Sequence, residues 1–120
     1  MNILIIEDDK VMLKTLQYGI ENLGHKVRVA ESAEEAIKLT DEGNFDLIIS
    51  DIMMPGISGL SLVNVLRSMN FCTSPIIMMS ALNNKSLLEA AFAAGANDFI
   101  AKPFTIGELG EKLRKYDKSI

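Results

Sequence analysis

The sequence predicts a doubly wound α/β fold, five parallel strands with helices on both faces, on three observations. Strand-like and helix-like runs alternate from end to end of the 120 residues, with no linker or low-complexity segment between them. The runs Ile3-Leu4-Ile5-Ile6, Leu47-Ile48-Ile49 and Ile76-Ile77-Met78-Met79 are wholly apolar, as expected of central strands covered on both faces. Four runs also end in polar residues: Glu7-Asp8-Asp9, Asp51, Ser80 and Lys102-Pro103. In parallel strands those ends share one edge, where open α/β sheets place their sites.

The first strand is expected at about 2–6 and the first helix at about 9–22, with Asp9 as its N-terminal acid and Gly24 as its stop. A second strand at about 26–30, Lys26-Val27-Arg28-Val29, alternates like an edge strand. The second helix, about 32–42, carries the capping signature Ser32-Ala33-Glu34-Glu35 and stops at Gly43. After a third strand at about 46–50, Pro55-Gly56 and Ser58-Gly59 force a turn that holds the chain past Asp51 in a tight loop. A helix at about 58–68, a strand at about 75–79 and a helix at about 84–94 follow, the last stopping at Gly95. The fifth strand, about 97–100, runs into Lys102-Pro103, a candidate cis bond because a tight turn that aims a side chain inward is where cis-proline is found. The last helix, about 105–116, contains Gly107 and Gly110, each costing roughly 0.5–1 kcal/mol relative to alanine, so a short or late-starting helix is expected. Lys112, Arg114, Lys115 and Lys118 near its end complement the helix dipole. An apolar first strand beside an edge-like second is satisfied by the flavodoxin-like order 2-1-3-4-5, which makes Asp8 and Asp51 face each other at the topological switch point.

Length and composition narrow the function. Residues 1–120 read as a single domain, large enough to bury a core without disulfides or metals. No apolar run approaches the roughly 18 residues of a membrane span, and Met1 to Ile6 runs into acids without a signal-peptide cleavage site, so a soluble cytoplasmic protein is expected. A net charge of -4 and 6% aromatic residues without tryptophan argue against direct nucleic-acid binding. The single cysteine, Cys72, excludes an internal disulfide and a cysteine metal cluster, and reads as a semi-buried hydrophobe. His25 reads as a surface residue, and Met78 and Met79 as core packing.

Carboxylates crowded into one pocket raise each other's pKa until a cation relieves them. Oxygen ligands with retained waters suit Mg²⁺, with Mn²⁺ as a substitute. Asp8 and Asp51 are expected to bind the metal directly, Glu7 to hold a metal-bound water, and the Met53 carbonyl to supply another oxygen. Asp51 is the candidate nucleophile, because a carboxylate can attack phosphorus to form an acyl phosphate. Lys102 has the reach to balance phosphoryl charge, and Ser80 offers a hydroxyl donor.

These residues at these strand ends make the chain resemble the receiver domain of bacterial response regulators over essentially its whole length. The matching pieces are Glu7-Asp8, Asp51 in Asp51-Ile52-Met53-Met54-Pro55-Gly56, Gly59, Ser80-Ala81 and Lys102-Pro103-Phe104. Phe99 falls at the family's switch aromatic. The resemblance implies phosphotransfer to Asp51 from a sensor histidine kinase or histidine phosphotransfer protein, and a switch built on Ser80 and Phe99. It further implies a donor docking near the first helix and a readout face over about 84–116 towards an unknown downstream target. The expected state is a monomer or a weak phosphorylation-dependent dimer. Apolar Met53 and Leu82, two residues past Asp51 and Ser80, cannot orient an attacking water, so slow self-dephosphorylation is expected. An aspartyl-phosphate phosphatase is the alternative, but Met53 stands where its general acid would be. A flavodoxin-like FMN carrier would place phosphate after the first strand, where Glu7-Asp8-Asp9 repels it.

Overall fold

The computed structural model describes residues 1–54, 56–68, 72–82 and 84–117; Pro55 and Lys118, named above, lie outside the described residues. In chain order the elements are β1 (Asn2–Ile6), α1 (Lys10–Asn22), β2 (Lys26–Ala30), α2 (Ala33–Glu42), β3 (Leu47–Asp51), α3 (Gly59–Ser68), β4 (Ile76–Ser80), α4 (Lys85–Ala94), β5 (Asp98–Ala101) and α5 (Ile106–Arg114). The strands form one parallel sheet in the order β2-β1-β3-β4-β5, as expected.

Side chains alternate across the sheet and build two core layers. Leu4, Ile6, Ile48, Met78 and Phe99 pack with Ala36 of α2, Leu62, Val63 and Leu66 of α3, and Ala91 of α4. Ile3, Ile5, Leu47, Ile49, Met79 and Ile100 pack with Leu13, Leu16 and Ile20 of α1 and Leu109 and Leu113 of α5. Each leucine, isoleucine, valine or methionine side chain among them contributes about 1.5–3 kcal/mol when fully buried.

β3, β4 and β5 each begin and end one residue later than the sequence suggests. Backbone pairing continues through the polar residues, with Asp51 opposite Met79 and Ser80 opposite Ala101. The polarity of a side chain does not end a ladder of main-chain hydrogen bonds. Asp51 and Ser80 therefore sit on strands and inherit their rigidity.

Helix caps follow the sequence signals. Asp9 is the N-cap of α1, its carboxylate accepting from the Val11 and Met12 amides. Ser32 caps α2 by accepting from the Glu35 amide. Gly95 ends α4 with a left-handed φ of 119°, a conformation that glycine adopts without a Cβ clash. α5 starts late, at Ile106, after the Thr105 cap. Gly110 of α5 has a packing reason, since a Cβ there would lie 3.3 Å from Leu23, while on α1 a Cβ at Gly19 would lie 2.6 Å from Ile106. The cost of these helical glycines is offset by the close approach of α1 and α5. No contact requires Gly107.

The basic residues of α5 do more than complement its dipole. The Lys112 ammonium donates to Asp98 Oδ1 at 3.0 Å and the Tyr116 hydroxyl to Oδ2 at 3.2 Å, tying the end of α5 to the start of β5. Burial opposes the Asp98 charge, but the Phe99 amide and the ammoniums of Lys112 and Lys115 outweigh it and hold its pKa below the ordinary 3.8. His25 is half-buried rather than a free surface residue: its Nδ1 lies 2.9 Å from the α-amino nitrogen of Met1. Burial and that ammonium hold its pKa below the ordinary 6.5. Among the described residues no helix is long and apolar enough to cross a membrane.

Candidate functional site

The C-terminal ends of β1, β3 and β5 bring Glu7, Asp51 and Lys102 into direct contact. The ladder extends past each strand end, through Glu7 N donating to Ala30 O at 3.0 Å and Lys102 N donating to Ser80 O at 2.8 Å. Side-chain alternation therefore continues too. Glu7 shares a face with Ile3 and Ile5, Asp51 with Leu47 and Ile49, and Lys102 with Ile100, all facing α1 and α5. Ser80 follows Met78 and lies on the opposite face, the one that carries Phe99.

The Lys102 ammonium donates to Glu7 Oε1 at 2.9 Å and to Asp51 Oδ2 at 3.3 Å. Asp51 Oδ1 accepts from the Met53 amide at 3.2 Å. Glu7 is only 1% exposed, and its Oε2 is the one buried side-chain polar atom among the described residues without a hydrogen-bond partner. Burial, then the neighbouring Asp51, push the Glu7 pKa from 4.5 to about 7 against the pull of Lys102. Burial would lower the Lys102 pKa, but Glu7 and Asp51 outweigh it and hold the ammonium above its ordinary 10.5. Asp8 lies at the exposed rim.

Carboxylate oxygens of Glu7, Asp8 and Asp51 lie within 4.8 Å of one another. This set fits a hard divalent cation: all donors are oxygen, one buried oxygen is orphaned, and two acids are held on the charge of one ammonium. The pairing of Glu7 with Lys102 is legible in principle, because counting by twos from Ile5 and Ile100 puts both side chains on one face, yet the sequence reading gives Lys102 only the phosphoryl charge to balance. The Lys102-Pro103 bond is cis. Ser80 is buried and its Oγ accepts from the Leu82 amide at 3.0 Å, which leaves the hydroxyl proton to donate elsewhere. Phe99 is 8% exposed within the layer that holds Met78, Ala91 and Ala96, so its ring already lies inside. Met53 and Leu82 flank the site at 59% and 52% exposure. A concavity of about 570 Å³ lies at the opposite edge of the sheet between Phe45, Pro75 and Tyr116, away from Glu7, Asp8 and Asp51.

Gly59 seats the loop that follows Asp51. Its amide donates to Ile52 O at 2.8 Å, and a Cβ would land on the Asp51 carbonyl oxygen and lie 2.7 Å from the Ile52 Cα. Both obstacles are backbone and cannot rotate away. Gly59→Ala is expected to cost about 1–3 kcal/mol, the range for forced overpacking, read as a lower urea midpoint. An unchanged midpoint would mean that the loop has slack.

A family model described as the response regulator receiver domain matches residues 3–114. The chain belongs to that family. Among solved structures, this receiver domain resembles the chemotaxis protein CheY4 of Vibrio cholerae, with a TM-score of 0.92, 25% identity, and coverage of 97% of this chain and 98% of that one. A putative response regulator from Chloroflexus aurantiacus matches at a TM-score of 0.89 and 35% identity, over 96% and 95% of the two chains. The two-component response regulator PhoP of Pseudomonas aeruginosa is 35% identical over 94% of this receiver domain and 50% of its own length. The transcriptional regulatory protein YkoG of Bacillus subtilis is 34% identical over 94% and 49%. The receiver domain thus spans about half the length of the curated relatives it matches. Receiver domains of response regulators interact with histidine kinases and in general bind Mg²⁺.

Proposed function

We propose that residues 1–120 form one receiver domain in which Asp51 accepts a phosphoryl group from a phosphohistidine, on a sensor kinase or a histidine phosphotransfer protein. The observation that carries this reading is the buried Asp51 carboxylate held between the Met53 amide and the Lys102 ammonium at the rim of an acid cluster. An Asp51 oxygen attacks phosphorus, the phosphorus–nitrogen bond of the donor breaks, and an acyl phosphate forms. Glu7, Asp8, Asp51 and the Met53 carbonyl would hold Mg²⁺, Glu7 through a water; the ion supplies charge neutralisation for the transferring group. Lys102, already on Asp51, pairs with the phosphoryl oxygens as a point charge. The new group adds roughly -1.5 to -2 charges and three acceptors, which recruit the free proton of the Ser80 hydroxyl.

In this reading the switch is the pair of Ser80 and Phe99, on one face of the sheet. Because the ring is already buried, the response is a repacking of the layer around it rather than a long swing from solvent. Exposed Val11 and Tyr18 on α1 offer the donor an apolar surface, and the face from α4 to α5 serves an effector or partner. The protein works in the cytoplasm, as a monomer or a weak phosphorylation-dependent dimer, and regulates without turnover of small substrates. Neither Met53 nor Leu82 can hydrogen-bond an attacking water, which supports slow hydrolysis of the acyl phosphate and argues against the phosphatase reading.

Incubation with a radiolabelled small-molecule phosphodonor and Mg²⁺ tests this. Up to one phosphate per chain should be incorporated, in a base-labile bond lost in Asp51→Asn, with decay slower than minutes at neutral pH. Label retained in Asp51→Asn would move the acceptor elsewhere. Catalytic release of phosphate from phosphomonoesters would favour the phosphatase, and loss within seconds would refute storage.

A further inference from the structure

Arg67, in the last turn of α3, uses all five of its N–H donors on groups from two separate segments, 72–74 before β4 and 95–97 between α4 and β5. Nε and Nη2 donate to Gly95 O at 3.2 and 2.9 Å, Nη1 to Cys72 O at 2.9 Å and to Ser74 O at 2.6 Å, and Nη2 to Asn97 Oδ1 at 2.8 Å. None of these acceptors is a carboxylate. Gly95 is the C-cap of α4, so its carbonyl belongs to the negative end of that helix, and a guanidinium there complements the dipole from outside. Asn97 continues the link: its Oδ1 also accepts from the Ile76 amide at 2.9 Å, and its own amide donates to Ile76 O at 2.8 Å. Gly95 lies close under the arginine, since a Cβ on it would meet Arg67 Cγ at 3.0 Å.

The other end of α4 is held differently. Asn84 caps it locally by accepting from the Leu87 amide, Ala91 is the only fully buried residue of the helix, and Leu87 and Leu88 are half-buried. The chain just before it turns on the Ser80 hydroxyl through the Leu82 amide. One end of the helix is thus bolted to α3 and β4 by a fully committed guanidinium, while at the other the Ser80 hydroxyl holds the Leu82 amide two residues before the Asn84 cap.

Resting on the receiver reading, we propose that Arg67 is a positioning residue for the switch: it pins the C-terminal end of α4, so that a change at Ser80 displaces the N-terminal half of the helix about a fixed end. The pin concentrates the response between Asn84 and Leu88 and withholds it from the turn that leads into β5. Without it the same change at Ser80 would spread along the whole helix.

The test is amide exchange and amide shifts along α4 in wild type, Arg67→Met and Arg67→Lys, each with and without Mg²⁺ and beryllofluoride. In the free wild-type protein, Ala91 to Asn97 should exchange about tenfold or more slowly relative to Leu87 to Ala90. Arg67→Met should remove that gradient, and Arg67→Lys, with fewer and unforked donors, should restore it only in part. Beryllofluoride should shift Asn84 to Leu88 in wild type and extend the shifts to Ala94 in Arg67→Met. Should Arg67→Met fail to fold, Asn97→Ala removes one arm of the link and should weaken the gradient. An even response along α4 in wild type, or a confined response in a folded Arg67→Met, would overturn the pin. No beryllofluoride response at Asp51 or Ser80 would instead refute the receiver reading, and the exchange gradient of the free protein would still decide the pin.

Discussion

Phe99→Ala should destabilise the protein by about 3–5 kcal/mol, the range for removing a buried phenyl ring without full collapse of the space it leaves. The ring is 8% exposed and belongs to the same buried layer as Met78, Leu62 and Ala91, so its removal opens a cavity between β5 and the helices that cover it. Urea unfolding should report this as a lower midpoint with an unchanged slope. A loss under about 1 kcal/mol would place the ring at the surface. The same packing means that an alanine variant tests the core before it tests signalling. Phe99→Leu keeps much of the apolar volume and is the variant in which phosphorylation-linked shifts at Ser80 are informative.

Stability of the metal-free protein should fall as pH rises from about 4.5 through about 7. Glu7 has an ordinary pKa of 4.5 and is pushed up to about 7 in the fold by burial and by Asp51, so the folded state holds a proton that the unfolded chain has released. A raised acid stabilises fully below its unfolded pKa, and that stabilisation is lost as pH rises through the folded value. The full swing corresponds to about 3 kcal/mol. His25 acts in the opposite sense over part of this window: its pKa lies below 6.5, so stability is present above that pH and lost as pH falls through the folded value. Asp98, also lowered, loses its contribution only as pH falls below about 3.8. The difference between wild type and Glu7→Gln isolates the Glu7 contribution. Chemical denaturation at pH 5, 6, 7 and 8 should show that difference growing in favour of the variant. Parallel profiles would mean that Glu7 is ionised throughout.

The order of elements was legible because it rests on local physics. Apolar runs of strand length, Asp9, Ser32 and the glycines after α1, α2 and α4 each act on their own neighbours, and the structure uses them as expected. The strand order was legible because the pattern of β2 marks an edge and the pattern of β1 an interior. The ends of β3, β4 and β5 were less so, because main-chain pairing passes through Asp51 and Ser80 whatever their side chains. Gly110 looked like a weakness in a helix, and only the closeness of Leu23 gives it a reason. Arg67 carried no motif at all. Its role comes from three carbonyls on two segments converging on one guanidinium, and such acceptors look alike in any sequence.

The amino-acid sequence by itself determined that two acids, Asp51, Ser80 and Lys102 would meet at one edge, because parallel strands aligned by their apolar runs must end together. Tertiary structure decided how those groups share charge. Glu7, not Asp8, is the acid carried inside, and Lys102 spans Glu7 and Asp51. Burial and distance set these interactions, since the same carboxylate is near neutral in cost when solvated and strongly perturbed a few ångströms deeper. Those quantities exist only once the sheet and its helices have closed around the site.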